Sequence, residues 1–560
     1  MTSGHVSLKP LLLLALLFTL LNAFKPLCID DALYYYHAQQ ISQHPLAPYG
    51  FTVFWNDRPE PAIQNLAPVL MQYWWAIAIR LFGDHPFIWK LWLLPYALLL
   101  VFSLHSLLRR FASGYEMILT WMVVISPVFL PSFNMMLDVP ALGLSLFAII
   151  IFLRASERDS YLLAAVAGIL AGVAAQTKYN GLVAPAVILL HSLTFRKLRL
   201  GIVAAMLAGS FFVAWEGFIF LSAGRSHFLT QSQTYGSVNL LAKYAYLAWP
   251  LVTIMGAVAP FFSIVALIAL GVKQKAVAIA TTFVVLGYLA VIFTPARFQT
   301  LTRDSQTHEA SLTLAFLLFS IYGIGFFVSV LIGIGKLLGP LQGVTAFRVV
   351  WQKHKTEMFL GGWWLLEIVA YFGLSPIPAV RRVLALLVVS TLVIGRLARR
   401  TVGPGSKLLR RAAFASMLLG LIFYAVDFRD AYVEKAAVEK SSQQIAMTGP
   451  PATIWYVARW GFQYYAERAG MKPVLPDQSD FQPGDWLVIS DSVYFPKPVS
   501  AHIDRYKIDP VTQVVLEDRL PLQTMLGFYN SGMPIQHHEG PRRTIRIYRV
   551  AGPATLDSPR

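Results

Sequence analysis

Time after time this chain runs for about twenty residues with almost no charged side chain, and few folds tolerate that. A backbone placed in lipid must satisfy its own N–H and C=O groups, which only a helix or a closed barrel does, and a helix needs about 20 mostly apolar residues to cross. Runs of this kind lie near 8–25, 87–108, 117–133, 138–153, 161–176, 180–195, 200–222, 248–270, 276–294, 311–334, 358–374, 382–397 and 411–426. The expectation is an α-helical polytopic membrane protein with about 13 transmembrane helices. Composition agrees, with 56% hydrophobic and only 13% charged residues among 560.

Lys and Arg between the runs set an orientation. With the N-terminus cytoplasmic, the inner turns hold Arg109 and Arg110, Arg154 and Arg158, Arg196, Lys197 and Arg199, then Lys273 and Lys275. Further along they hold Lys336, Arg348, Lys353 and Lys355, then Arg396, Arg399, Arg400, Lys407, Arg410 and Arg411. The opposite turns are poorer in base, as the positive-inside rule requires. The net charge of +17 therefore reads as an orientation signal. From Asp427 onward 15 acidic residues balance 15 basic ones, so nucleic acid is not an expected partner. The first run is read as a retained helix and not a cleaved signal, since its basic flank is only Lys9 and no small-x-small site precedes Asp30.

Residues 30–86 make a long outer loop. Its segment 66–82 is apolar but carries Tyr73, Trp74 and Trp75, residues that favour the membrane interface, and is expected to lie on the outer surface as a helix. Residues 1–426 thus form the membrane domain. Beyond 427, short β-prone runs at 452–457, 485–490 and 544–550 alternate with turns such as Gln482-Pro-Gly-Asp, and a helix is expected near 461–470. Residues 427–560 read as a small extracytoplasmic α/β domain. The single cysteine, Cys28, allows no intrachain disulfide.

Acids are scarce before 427, only 14 of them, and an acid at the membrane is a functional hypothesis by default. Asp30 and Asp31 follow the first run, and Asp138 opens the fourth; the orientation puts all three at the outer face. Such carboxylates suit a general base that takes a proton from an attacking hydroxyl. The competing reading is that they cap helices. Lys90, Lys178, Arg381 and Arg382 fall on the same face, against the positive-inside bias. An anionic group such as a lipid phosphate would account for them; snorkelling to headgroups is the bland alternative. Glu216 and Glu367 lie within apolar runs, where a proton relay competes with a satisfied hydrogen bond. His308-Glu309 and His537-His538 lack metal-site spacing, and there is no P-loop or dinucleotide glycine fingerprint, so no metal or cofactor is called for.

The order of these features resembles one family. An acidic pair follows the first helix in Asp30-Asp31-Ala32-Leu33-Tyr34, and an aromatic interfacial segment ends in Leu-Phe-Gly. Asp138 stands at the third-to-fourth junction, Lys178-Tyr-Asn-Gly follows the fifth span, and Arg381-Arg382 leads a late helix before the tail. This resembles the GT-C glycosyltransferases related to protein O-mannosyltransferases and lipid A aminoarabinose transferases (glycosyltransferase family 39-like). The resemblance implies Asp30 in the position of the catalytic acid, with Asp138 as the second acidic position and Lys178 as a basic residue after the fifth span. Lys90 stands where relatives commonly have Arg, and Val383 replaces a tyrosine after the late arginine. Leu66-Ala67-Pro68 replaces the Lys-Pro-Pro or His-Pro-Pro of many relatives.

On this reading a sugar passes from a polyprenyl-phosphate donor to a hydroxyl on a lipid, protein or cell-wall acceptor, at the outer face of a bacterial inner membrane. Asp30, Asp31 and Asp138 serve catalysis; Lys90, Lys178, Arg381 and Arg382 hold the donor phosphate. The alternative is a transporter or flippase of a lipid-linked solute, with Glu216 and Glu367 in a proton path, and a non-catalytic scaffold is a third. A transporter of that kind commonly shows matching interrupted spans, which this chain lacks.

Overall fold

The computed structural model describes residues 8–55, 59–65, 67–236, 240–303, 310–339, 354–403, 405–491, 497–518, 520–524, 528–529 and 531–554. Leu66 and His308-Glu309 lie outside these residues. Among the described residues eight helices are long and apolar enough to cross a membrane. They are Pro86–Phe111, Asp138–Arg158, Leu198–Ala223, Leu241–Val258, Gln274–Phe293, Leu314–Leu338, Lys355–Leu374 and Lys407–Thr448. Four more are apolar but shorter: Lys9–Phe24, Tyr161–Thr177, Tyr179–Phe195 and Pro260–Ala269. The protein is a helical, multi-pass membrane protein.

Several expected spans differ in form, for identifiable reasons. The run 117–133 keeps only a nine-residue helix, Glu116–Val124, before a buried irregular stretch leads to Asp138. Pro127 and Pro131 account for it, because proline lacks an N–H and turns the preceding residue away from the helical region. The run 248–270 breaks at Ala259, just before Pro260. The 382–397 run begins as a short 3-10 turn, Val380–Val383, and continues as Leu384–Thr401, whose last turns carry Arg396, Arg399 and Arg400.

The last run does not stop near 426. One helix of 42 residues, Lys407–Thr448, runs through the boundary drawn at 427. At 1.5 Å per residue it is about 63 Å long, roughly twice the hydrocarbon thickness of a bilayer. Gly420 sits where this helix crosses the turn after Glu116–Val124; a Cβ there would fall 1.7 Å from the Ile125 carbonyl oxygen. Its far end carries Val438 and Ile445 into a second apolar core with Tyr456, Phe462, Trp486, Val488, Ile545 and Ile547.

That second core lies against a five-stranded sheet in the order Lys472–Pro473, Ile454–Val457, Trp486–Ser490, Arg543–Pro553, Tyr506–Leu516. The first three strands are parallel, and Arg543–Pro553 is antiparallel to both its neighbours. The Trp460–Arg468 helix makes the crossover between Ile454–Val457 and Lys472–Pro473. At the same end of the bundle, the Asp30–Gln43 and Leu70–Phe82 helices pack on each other. Leu70–Phe82 buries Trp75 fully and exposes Ile77 and Leu81, as a helix lying on a surface should.

A buried ion pair staples the first helix to the last. Lys25, just after Lys9–Phe24, pairs with Asp427, and both side chains are fully buried. Lys25 also donates to the Pro131 carbonyl at 3.2 Å. Removing one partner of such a pair strands the other charge, typically at a cost of about 3–5 kcal/mol. Lys25→Met is therefore expected to lower the unfolding temperature in detergent markedly, and adding Asp427→Leu should recover most of the loss. A single variant as stable as the parent would show that the pair does not hold the two helices together.

Candidate active site

The site begins with a strained turn. After Lys25 the chain is extended, and Ile29 then takes φ +42°, a region that a β-branched residue rarely enters. Such strain persists where the surroundings enforce it and concentrates at functional sites. It starts the next helix at Asp30 and aims the two acids differently. Neither carboxylate caps that helix. Asp30 pairs with Arg381, 351 residues away, while Asp31 is fully buried and accepts from the Cys28 N–H at 3.1 Å.

Asp138 follows the same logic. It opens the Asp138–Arg158 helix without a capping hydrogen bond and pairs with Lys178. Lys178 stands in extended backbone between the Tyr161–Thr177 helix and the 3-10 turn Tyr179–Leu182. That turn folds back tightly on the preceding helix. Gly181 permits it, since a Cβ there would lie 2.4 Å from Ala174. Arg381 and Arg382 come from the Val380–Val383 turn, before a helix buried in the bundle core.

These residues meet around one cavity of about 380 Å³. Asp30, Lys178, Arg381 and Arg382 all line it, together with Tyr34, Trp55, Asn180, Trp460 and Tyr529. A narrower pocket of about 60 Å³ shares Lys178, Asn180, Arg381 and Arg382 as a common wall and is also lined by Asp138, the partner of Lys178. From there it is lined mainly by apolar side chains: Ala141, Leu142 and Ile149 of one helix, Val183 and Val187 of another, and Trp363 of a third. A wide cavity and a narrow groove thus share one set of cations.

With Lys178 protonated, three cations face two carboxylates here, an excess of one positive charge. Arg381 is held on several sides. Besides Asp30, its Nη2 donates to the Tyr529 carbonyl at 3.4 Å, and its guanidinium lies 5.2 Å from the centre of the Tyr529 ring. Among the described residues no carboxylate closes an ion pair with Arg382, and its buried Nε has no hydrogen-bond partner. Burial, and next the guanidinium of Arg382, pull the Lys178 ammonium down to about 7, against the opposing pull of Asp138.

Asp31 and Lys90 are placed elsewhere. Neither lines the cavity. Lys90, expected to meet a phosphate, is buried behind the turn. It donates to the carbonyls of Lys25 at 2.5 Å and Pro26 at 3.3 Å, and to Asn134 Oδ1 at 3.4 Å, and lies 3.8 Å from Asp31. The pair braces the backbone that carries Asp30. Burial raises the Asp31 carboxyl above its ordinary range, and Lys90 opposes this. Glu216 is fully engaged, accepting from Gln176 (3.1 Å), Tyr179 (3.3 Å), Ser226 (2.6 Å) and the Phe228 N–H (3.1 Å). Glu367 accepts from the Trp363 indole at 2.9 Å in the narrow groove. His537 binds the Val291 carbonyl and Glu539.

Tyr34, Trp55, Trp460 and Tyr529 are among the cavity residues not singled out from sequence. Tyr34 carried a signal, since it stands four residues after Asp30 and so shares its helix face. Trp55, Trp460 and Tyr529 had none, because only tertiary packing brings them here. Tyr529 reaches far into the bundle: its hydroxyl lies 3.2 Å from Cys28 Sγ and accepts from Asn134 at 3.3 Å.

No protein-family model matches the chain, and no curated protein matches it. Solved structures do match in outline. The oligosaccharyltransferase of Archaeoglobus fulgidus, in complex with Zn and sulfate, is 14% identical at a TM-score of 0.43; the match covers 85% of this chain and 63% of that one. AglB from Archaeoglobus fulgidus, with an inhibitory peptide and a dolichol-phosphate, is 14% identical at 0.45, over 90% of this chain and 72% of that one. ArnT from Cupriavidus metallidurans, bound to undecaprenyl phosphate, is 14% identical at 0.44, over 97% of this chain and 98% of that one. These neighbours are glycosyltransferases of the GT-C fold. The chain spans under two thirds of the length of the first.

The position of Lys178 gives the cavity a pH dependence. Its ammonium is charged below about 7 and neutral above, so its attraction for an anion is present on the acid side and lost on the alkaline side. A phosphodiester amphiphile keeps one charge throughout, and its affinity is expected to fall up to about tenfold between about pH 6 and pH 8. Lys178→Arg should flatten that profile in a titration in detergent. An equally steep slope in the variant would place the titrating group elsewhere.

Proposed function

We propose that this chain is an integral-membrane glycosyltransferase, moving a sugar from a polyprenyl-phosphate donor to an acceptor hydroxyl with inversion at the anomeric carbon. One observation carries the reading: Asp30 and an excess of cations share a cavity that continues into an apolar groove between membrane helices. A lipid phosphate sugar has the matching shape, with an apolar tail, one negative charge and a polar head.

The prenyl chain lies in the groove beside Leu142, Ile149, Val187 and Trp363. The phosphate sits among Lys178, Arg381 and Arg382, where its single charge offsets the surplus cation. Arg382 meets it with a guanidinium that no carboxylate among the described residues holds. As the bond from the anomeric carbon to the phosphate oxygen breaks, charge gathers on the departing phosphate, and donors already in place stabilise it. The acceptor hydroxyl attacks from the opposite face and Asp30 takes its proton. Until a phosphate competes for the guanidinium, Arg381 holds Asp30 in place. Asp138 orients Lys178; Asp31 and Lys90 act one step back, through the turn that carries Asp30.

The basic turns support an orientation for this reaction. Arg109 and Arg110, Arg154 and Arg158, and Arg196 to Arg199 follow or precede helices whose other ends carry Lys90, Asp138 and Lys178. With those turns cytosolic, the cavity opens at the outer face of the inner membrane, and the sheet of the tail lies outside with it.

Asp30→Asn is expected to lower transfer from a radiolabelled polyprenyl-phosphate sugar to native membranes by at least about 100-fold, the scale of general-base catalysis, while the protein still binds prenyl phosphate. Arg382→Ala should weaken prenyl-phosphate binding by about tenfold or more, as loss of a charge-assisted hydrogen bond does. Lys90→Met should act on thermal stability first. Wild-type turnover by Asp30→Asn would overturn the assignment.

A further inference from the structure

We propose that a second cavity, between the Lys407–Thr448 and Trp460–Arg468 helices, binds the head of a membrane phospholipid that carries both a phosphate and a primary ammonium. The cavity measures about 520 Å³ and shares no lining residue with the one that holds Asp30. It stands apart from the glycosyltransferase reading and needs only that two helices cross the bilayer.

Two helices independently set its depth. Arg410 and Arg411 mark one membrane edge of the long helix, and about 20 residues of hydrocarbon core put the other edge near Ala431. Tyr432 stands there, half exposed, as an interfacial aromatic should. Lys435, which lines the cavity, is about 6 Å further on, inside a headgroup layer about 5–8 Å deep. The Pro86–Phe111 span gives the same level. Counted back from Arg109, its far edge falls near Trp89, and Pro86, also in the lining, lies about 5 Å beyond. Apolar side chains continue from the cavity toward the bilayer. Leu421, Phe428, Tyr432, Lys435 and Glu439 recur at helical spacing on one face of the long helix, and exposed Phe87 stacks near exposed Phe24 beside Pro86. A lipid whose tails follow these side chains has its head at the cavity.

Charge decides the head. Lys435 and Glu439 lie 3.6 Å apart on the long helix, and Arg468 of the facing helix pairs with Asp84. Side-chain exposure in these two pairs runs from 40% to 51%, and pairs so exposed hold weakly and exchange partners readily. A phosphate between Lys435 and Arg468 takes one cation from each wall through charge-assisted hydrogen bonds. It releases Glu439, and an ammonium on the same head meets that carboxylate. A head with a phosphate alone would leave Glu439 without a partner in the cavity, and a choline ammonium has no N–H to donate to it. Val438, Tyr465 and Ala469 give apolar lining for the carbons between the two charges. Such a head bridges the span and the crossover helix of the sheet, so binding also raises the unfolding temperature.

The test titrates the full chain in a nonionic detergent with dihexanoyl phosphatidylethanolamine, phosphatidylglycerol and phosphatidylcholine, and counts bound lipid by native mass spectrometry. One phosphatidylethanolamine is expected to bind about tenfold tighter than either of the others, the worth of one charge-assisted hydrogen bond. Lys435→Ala and Arg468→Ala should each weaken it by about tenfold, Lys435→Arg should keep it, and Glu439→Gln should bring it down to the level of phosphatidylglycerol. These side chains are exposed, so the variants are expected to match the parent's unfolding temperature without added lipid and to lose only the rise that the lipid gives. Tightest binding by phosphatidylglycerol or phosphatidylcholine, or binding that none of the substitutions moves, would overturn the site. Glycerophosphoethanolamine or inorganic phosphate held as tightly as the lipid would also overturn it, since the cavity would then take a soluble group.

Discussion

A carboxylate away from bulk water must find a cation or a set of hydrogen-bond donors, and that demand organises this molecule. The penalty for an unpaired charge among apolar helices is several kcal/mol, too large for a fold of ordinary stability to carry at many sites. Four acids at the core recruit a cation from elsewhere in the chain, while Glu216 and Glu367 are held by neutral donors instead. Asp427 takes Lys25, Asp30 takes Arg381, Asp138 takes Lys178, and Asp31 lies against Lys90. The separations of 402, 351 and 40 residues for the first three mean that the pairs bind first helix to last and early turns to late ones. Shape follows from electrostatics here as much as from hydrophobic contact.

The same demand explains how a site arises at one end of the bundle. Where cations and acids balance, as between Lys25 and Asp427, the result is a closed structural contact. Where an extra cation is present, as with Arg382 beside Arg381, the charges lining the cavity do not cancel among the described residues. The cavity is the part of the charge network left incomplete by protein alone.

Much of this was legible in the residues. The apolar runs gave the helical bundle, and the out-of-place acids and bases marked Asp30, Asp138, Lys178, Arg381 and Arg382, which the fold gathers in one place. Hydropathy could not say which of two neighbouring acids faces the cavity. That depends on the backbone at Ile29, whose left-handed φ no propensity would assign to a β-branched residue. Nor could it say that Lys90 turns inward to backbone carbonyls, since a buried lysine and a phosphate-binding one look alike in sequence. The prolines at 127, 131 and 260 carried the signal for the broken spans; apolarity masked it. Trp460 and Tyr529 were invisible for a different reason. Their place at the site depends on where the sheet settles on the bundle, information that no local pattern holds.

The 42-residue helix from Lys407 to Thr448 has a mechanical consequence. A hinge needs a few residues free to change φ and ψ, and at 427 there is instead an unbroken hydrogen-bonded rod, pinned by Asp427 near its middle. The sheet cannot swivel on such a mast without bending it. Trp460, which opens the crossover helix of that sheet and lines the cavity, is accordingly carried on the same mast.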